Sequence, residues 1–280
     1  VSPRAPRPRD AQPESAPRPL RPDERRFVAR VSAADRRAFG DRLRAWFRRS
    51  SRDLPWRRTR DPYRILVSEL MLQQTQVDRV VGFYHRFLAT FPSLEAVAAA
   101  PRHRVEEAWD GLGYYARARN LHALATVRVA ESQPATLPDD PAALRALPGV
   151  GPYTAGAVAS FAFERRAPLV DTNVERVLRR VFAPRLVPKA PRTHRLLWAL
   201  AGALLPRTGK AAWTHNQALM ELGALVCTAR VAHCERCPVR AVCRTAQAAG
   251  RAGGAVGAQR PSGRDKDGVK SRATRRDVPA

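Results

Sequence analysis

Lysine is nearly missing from this chain of 280 residues: Lys189, Lys210, Lys266 and Lys270 are the only ones, so positive charge is carried almost everywhere by arginine. Long apolar runs are missing too. No stretch approaches the roughly 20 apolar residues that a membrane helix needs. The N-terminal segment has no apolar core of the signal-peptide kind, which leaves a cytoplasmic protein as the expectation. Cysteine is confined to four positions between 227 and 243, unlike the scattered framework of a secreted disulfide protein. Strand alternation and long-period repeats are not found, so the expected fold class is all-α.

What the chain does have is charge. The net value is +25; residues 1–31 contribute +4 and residues 244–280 contribute +6, which leaves +15 between 32 and 243. The part expected to fold is thus itself strongly basic, as suits a polyanionic partner whose phosphates it neutralises. Residues 1–31, rich in Pro, Arg and Ala, and residues 247–280, rich in Gly, Arg, Ala and Ser, lack periodicity and are expected to be disordered. Between them, apolar residues recur at three- and four-residue spacing, with turn signals at Pro55, Pro92, Pro101, Gly111-Leu112-Gly113, Pro134, Pro138 and Pro148. Phe39, Leu43, Trp46 and Phe47 read as one core-facing stripe, and 116–131 and 191–206 as plain amphipathic helices.

Four stretches carry chemistry. At 147–151, Leu-Pro-Gly-Val-Gly makes a hairpin between two helices, the second opened by Pro152. The amides of Gly149, Val150 and Gly151 are suited to a phosphate. Asp171 follows about twenty residues later, as an N-cap or as a carboxylate held near that hairpin. The helix starting at Asp61-Pro62 contains a single acid, Glu69. Periodicity places it on an outer face; the alternative is a pocket wall that raises its pKa. Gln73-Gln74-Thr75-Gln76 then offers amide side chains to base edges or to a local loop. Trp109 to Asn120 combines a Gly turn, Tyr114-Tyr115, Arg117 and Arg119; the aromatics suit a wedge or stack on bases, the arginines phosphate. The fourth stretch is Cys227-x6-Cys234-x2-Cys237-x5-Cys243, whose thiolates suit Zn or a [4Fe–4S] cluster. Only one short Cys-x-x-Cys pair exists, which favours the cluster over paired zinc knuckles.

Taken together, Leu54-Pro55-Trp56, Ser68 to Gln76, Gly111 to Asn120, Leu147 to Gly151, Val170 to Val174 and the cysteine loop closely resemble the helix-hairpin-helix DNA glycosylases, and within them the adenine DNA glycosylases of the MutY type. The resemblance covers about residues 36–246. It implies a two-lobed helical fold, with a six-helix lobe over about 62–170 and a lobe from 32–61 and 171–246 carrying a [4Fe–4S] cluster on the four cysteines. It also implies a monomeric, nucleoid-associated enzyme of base excision repair acting on double-stranded DNA. By the same resemblance Asp171 is the catalytic aspartate and Glu69 the acid that protonates the departing adenine, against the outer-face reading. Tyr153 and Asn173 support the two carboxylates, Gln74 and Tyr114 insert into the duplex, and Gln73 and Thr75 lie near the partner guanine. Family members usually carry a further Nudix-like domain, and only a short basic segment follows Cys243 here, so that domain is expected to be lacking.

A carboxylate pair suits the chemistry, since N-glycosidic cleavage passes through an oxocarbenium-like sugar. A thymine or uracil mismatch glycosylase on the same scaffold would keep Asp171 but need neither Glu69 nor the Gln-Gln-Thr-Gln run; a non-catalytic DNA-binding protein would need neither carboxylate. The related branch that cuts the strand through a Schiff base needs a lysine in the second helix of the hairpin, where Tyr153 stands. No lysine occurs before residue 189. Incubation with a duplex holding adenine opposite 8-oxoguanine should therefore give strand breaks only after alkali; strong cleavage before alkali would refute monofunctional chemistry.

Overall fold

The computed structural model describes residues 19–251. In chain order its helices are α1 (Pro22–Ala29), α2 (Ala33–Ser50), α3 (Pro62–Leu72), α4 (Val77–Thr90), α5 (Leu94–Ala99), α6 (Arg102–Glu107), α7 (Ala116–Glu131), α8 (Pro141–Arg145), α9 (Pro152–Phe163), α10 (Thr172–Phe182), α11 (Pro191–Leu204), α12 (Gly209–Leu225) and α13 (Arg244–Arg251). Among the described residues there is no strand, only an isolated bridge between Cys227 and Ala232. None of the helices is long and apolar enough to cross a membrane.

Local chemistry sets the helix starts. The Ser32 side chain accepts from the Asp35 amide ahead of α2, and Asp61 accepts from the amides of Tyr63 and Arg64 with Pro62 at the first helical position of α3. The helices form two lobes. In one, α3 packs on α4 and α9, α5 on α7, and α8 on α9; in the other, α2 packs on α12, α1 on α11, and α10 on α11, α12 and α13. Contacts of α9 with α12 join them. Phe39, Leu43 and Phe47 are buried as the stripe predicts, whereas Trp46 is only half-buried.

The N-terminal expectation needs correcting. Residues 22–29 form α1, inside the segment read as disordered, where a buried carboxylate paired with a half-buried arginine takes the place of an apolar stripe. Glu24 is fully buried, accepts from the Arg21 amide, and lies 3.5 Å from the Arg195 guanidinium, while Arg195 also donates to Asp23. Likewise α13 runs to Arg251, into the segment read as a tail from 247. The rest of the two expected tails, 1–18 and 252–280, lies outside the described residues.

At the centre sits α9, buried on every position from Thr154 to Ala162. A helix apolar all round belongs in a core, and its small residues let neighbouring backbone come close. At Gly156 a Cβ would lie 2.2 Å from the Pro168 carbonyl oxygen. The strap from 164 to 171 therefore runs directly across α9, and it is held there by Asn216, whose Nδ2 donates to the Ala167 carbonyl and to Ser160 Oγ, each at 2.9 Å. Gly156→Ala should cost about 1–3 kcal/mol by overpacking, read as a lower urea midpoint at unchanged slope; an unchanged midpoint would show that the strap yields freely.

Candidate active site

A cleft of about 830 Å³ opens between the lobes, and Glu69, Gln73, Gln74, Thr75, Gly149, Gly151, Tyr153, Asp171 and Asn173 all line it. Residues scattered over more than a hundred positions of sequence thus share one space. Two expected residues stand apart from that wall: Val150, which is buried, and Tyr114, which projects into solvent from the loop before α7.

Glu69 sits near the end of α3 and is 3 % exposed. The outer-face reading fails because α3 has no outer face over this stretch: every residue from Ile65 to Met71 is buried. Burial pushes the Glu69 carboxyl up from its ordinary 4.5 to about 7. The Tyr153 hydroxyl, which donates to Oε2 at 2.8 Å, pulls the other way, Asp171 adds to the rise, and Arg57 opposes it. Tyr153 itself is driven well above its usual pKa, chiefly by burial, so it remains a donor.

Asp171 is both the N-cap and the functional candidate of the sequence reading; the two roles coexist. Its Oδ1 accepts from the Val174 amide at 2.6 Å and its Oδ2 from Asn173 Nδ2 at 3.0 Å. Burial raises its pKa, while the Val174 amide, the Asn173 side chain and Arg176 oppose the rise. The bonds continue outward. Asn173 Oδ1 accepts from Arg176 Nη2 at 2.7 Å, Arg176 Nε donates to the Cys227 carbonyl at 2.8 Å, and Arg180 reaches the Cys227 sulfur at 3.4 Å and the Thr228 carbonyl at 2.7 Å. Asp171 is thereby bonded, through two side chains, to the cysteine loop.

The hairpin turns at Gly149 with φ +74°, and a Cβ there would lie 2.4 Å from Asn120 on α7. Val150 departs from expectation: its amide closes the turn onto the Leu147 carbonyl at 3.2 Å and its side chain is buried. The exposed donors left for a ligand are the amides of Gly149 and Gly151. Gln74 and Tyr114 are held at φ +57° and +50°, a left-handed backbone that costs a non-glycine residue energy, and Tyr114 is 61 % exposed. Gln73 Nε2 lies 3.4 Å from Thr154 Oγ1, which ties this loop to α9. Arg117, read as a phosphate holder, is instead 6 % exposed and donates to backbone carbonyls.

The sequence reading missed a third carboxylate of the cleft. Glu221 on α12 accepts from Arg52 and Arg57 through both oxygens, at 2.7 to 3.2 Å. Burial pushes its pKa up, but the two guanidinium groups outweigh this and bring it to about 2. Arg57 Nε also donates to Gln217 Oε1 at 2.9 Å. A lone acid in an apolar helix is hard to pick out, but its partners Arg52 and Arg57 flank the Leu54-Pro55-Trp56 run closely enough to have drawn notice.

Cys227, Cys234, Cys237 and Cys243 line one cavity of about 470 Å³ beside α10, together with Arg176, Arg179 and Arg180. Among the described residues no three Cys, His, Asp or Glu side chains converge tightly enough for a single metal ion. Four thiols lining one cavity are a donor set that suits Zn or an iron–sulfur cluster.

Residues 67–202 match the family model of the HhH-GPD superfamily of base excision DNA repair proteins. The chain is 47 % identical over 201 residues to an adenine DNA glycosylase of Mycobacterium tuberculosis, covering 70 % of this chain and 64 % of that one. It is 42 % identical over 231 residues to the human adenine DNA glycosylase, covering 79 % and 41 %. It thus spans roughly two fifths to two thirds of those relatives' length. Among solved structures it resembles a thermostable thymine-DNA glycosylase, at 32 % identity and a TM-score of 0.69 over 77 % of this chain and 98 % of that one. It also resembles endonuclease III in a trapped covalent intermediate with DNA, at 25 % identity and a TM-score of 0.64 over 78 % and 98 %.

The raised Glu69 pKa has a consequence for stability. Between 4.5 and about 7 the unfolded chain releases this proton and the folded one keeps it, so stability falls across that window and stays lower above it. Glu69→Gln removes the effect. Its melting temperature should therefore gain on the wild type by a few degrees as pH rises from below 4.5 to above 7, and a gap independent of pH would show Glu69 to be unperturbed.

Proposed function

The chain belongs to the HhH-GPD superfamily of base excision DNA repair proteins, and on that footing we propose that it is a monofunctional, monomeric glycosylase that hydrolyses the N-glycosidic bond of adenine mispaired with guanine or 8-oxoguanine in double-stranded DNA. The observation that carries this reading is the buried Glu69, kept protonated up to about pH 7 and facing the same cleft as a carboxylate bonded at both oxygens. The adenine DNA glycosylases among its relatives support adenine as the base.

The target base is stacked inside a duplex and must be turned out into the cleft. The amides of Gly149 and Gly151 hold the backbone beside it, a contact that positions without reading sequence. Gln74 and Tyr114 brace the vacated space, while Gln73 and Thr75 face the partner base. Glu69 gives its proton to N7 of adenine, so that the C1′–N9 electron pair leaves with a neutral base. The positive charge that grows on the sugar is stabilised by Asp171, ionised and hydrogen-bonded by Val174 and Asn173. The Glu69 carboxylate then takes a proton from the attacking water and is restored. Glu221 cannot act as the acid, because Arg52 and Arg57 hold it ionised. The four cysteines would hold a [4Fe–4S] cluster, which supplies a thiolate-bound tie for the loop that Arg176 and Arg180 reach, and base release needs none of its chemistry.

A panel of A:G, A:8-oxoguanine, T:G and U:G duplexes tests the reading. Base should be released from the first two only, and Asp171→Asn should slow release by at least about 100-fold while duplex binding persists. The single-turnover rate should fall as pH rises through about 7, as Glu69 loses its proton. Release from T:G or U:G instead would give the protein to the thymine or uracil class, and release from none would leave a binding protein.

A further inference from the structure

Arg117 is a buried cation, and among the described residues no carboxylate pairs with it. The guanidinium is spent on carbonyl oxygens of two separate loops, and the division follows its fork. Nη1 donates to the carbonyls of Leu70, Met71 and Gln73 at 2.7 to 2.9 Å and lies 3.3 Å from Thr75 Oγ1. Nη2 donates to the carbonyls of Leu112 and Gly113 at 3.2 and 2.8 Å, and Nε reaches the Tyr114 carbonyl at 3.4 Å. One nitrogen therefore caps the open C-terminal end of α3 and the loop that follows it; the other two hold the loop ahead of α7.

Those two loops are the ones that carry Gln74, on the cleft wall, and Tyr114, which projects into solvent, both with left-handed backbone. A strained backbone persists only where its surroundings over-determine it. Here the carbonyl just before Gln74, that of Gln73, and that of Tyr114 itself are bonded to the same planar group, which also lies 5.6 Å from the ring centres of Tyr114 and Trp109. We infer that Arg117 is a positioning residue that locks the two duplex-inserting loops into one rigid frame, so that Gln74 and Tyr114 enter the DNA as a single preformed wedge. The inference rests on the glycosylase reading above for what the loops touch, and on geometry alone for their being locked together.

The fork is what a substitution must test. Lysine keeps the charge and most of the stem but has one nitrogen, which can serve one loop and not both. Methionine keeps the stem and serves neither. Hydrogen exchange of the free protein should show residues 73–76 and 111–115 opening faster in Arg117→Lys and Arg117→Met, with α9 and α12 unchanged. Affinity for a duplex holding a tetrahydrofuran abasic analogue opposite 8-oxoguanine should fall about tenfold, and the penalty of Tyr114→Ala on that affinity should largely vanish in the Arg117→Met background, since coupled residues are not additive. A helix cap with no further role would leave the Tyr114→Ala penalty intact in both backgrounds, and that result, or unchanged exchange in either loop, overturns the inference. If the wild type releases no adenine, the glycosylase reading fails by itself, and the exchange result still decides whether Arg117 locks the loops.

Discussion

The contact between Gly156 and the Pro168 carbonyl governs where the chemistry can lie. With nothing larger than hydrogen between them, the strap that leads to Asp171 passes directly over the helix whose second residue is Tyr153. Tyr153 bonds Glu69 on the helix packed beside it. Two carboxylates from separate elements are thus referred to one buried helix. Such a core resists small displacements because it is packed like a crystal and deforms only at a cost. Reaction geometry is sensitive to about an ångström, so placing both acids on the framework of α9 matters more than the strength of any one hydrogen bond.

Three buried or half-buried acids share the cleft, and their surroundings sort them. Glu69 has one neutral donor and apolar neighbours, so dehydration dominates and the proton stays. Glu221 has two guanidinium groups and keeps its charge. Asp171 lies between these limits, with an amide and an Asn side chain at its oxygens and Arg176 one bond further away. Ion pairing outweighs burial at one end of this series and burial outweighs a single hydroxyl at the other. The same functional group is therefore held in three different electrostatic settings without any change of residue class.

Much of this was legible in the residues. Helix starts at Asp61-Pro62 and Gly151-Pro152, the hairpin glycines and the all-helical pattern are written in local propensity. Glu69 was not: its single charge among apolar neighbours fits a surface helix as well as a pocket wall, and only tertiary packing, which buries α3 on all sides, separates the two. Helix α1 was hidden because a buried Glu24–Arg195 pair 171 positions apart replaces the apolar stripe that periodicity looks for. Arg117 and Val150 were misread for a related reason. Their partners are backbone carbonyls, which every residue has and no sequence displays.

The lobe that holds Asp171 is built from both sides of the other one: α2, before it in the chain, packs on α12, after it, and Arg52 closes on Glu221 across 169 positions. Contacts so distant in sequence cannot form during synthesis until nearly the whole segment has left the ribosome. Contacts within the stretch from α3 to α9 span shorter separations, such as the 84 positions between Glu69 and Tyr153. A nascent chain thus has the hairpin, Tyr153, Glu69 and the strap over α9 before α12 is available to pack on α2 and α10, so the side of the cleft beyond Asp171 is the last to be enclosed.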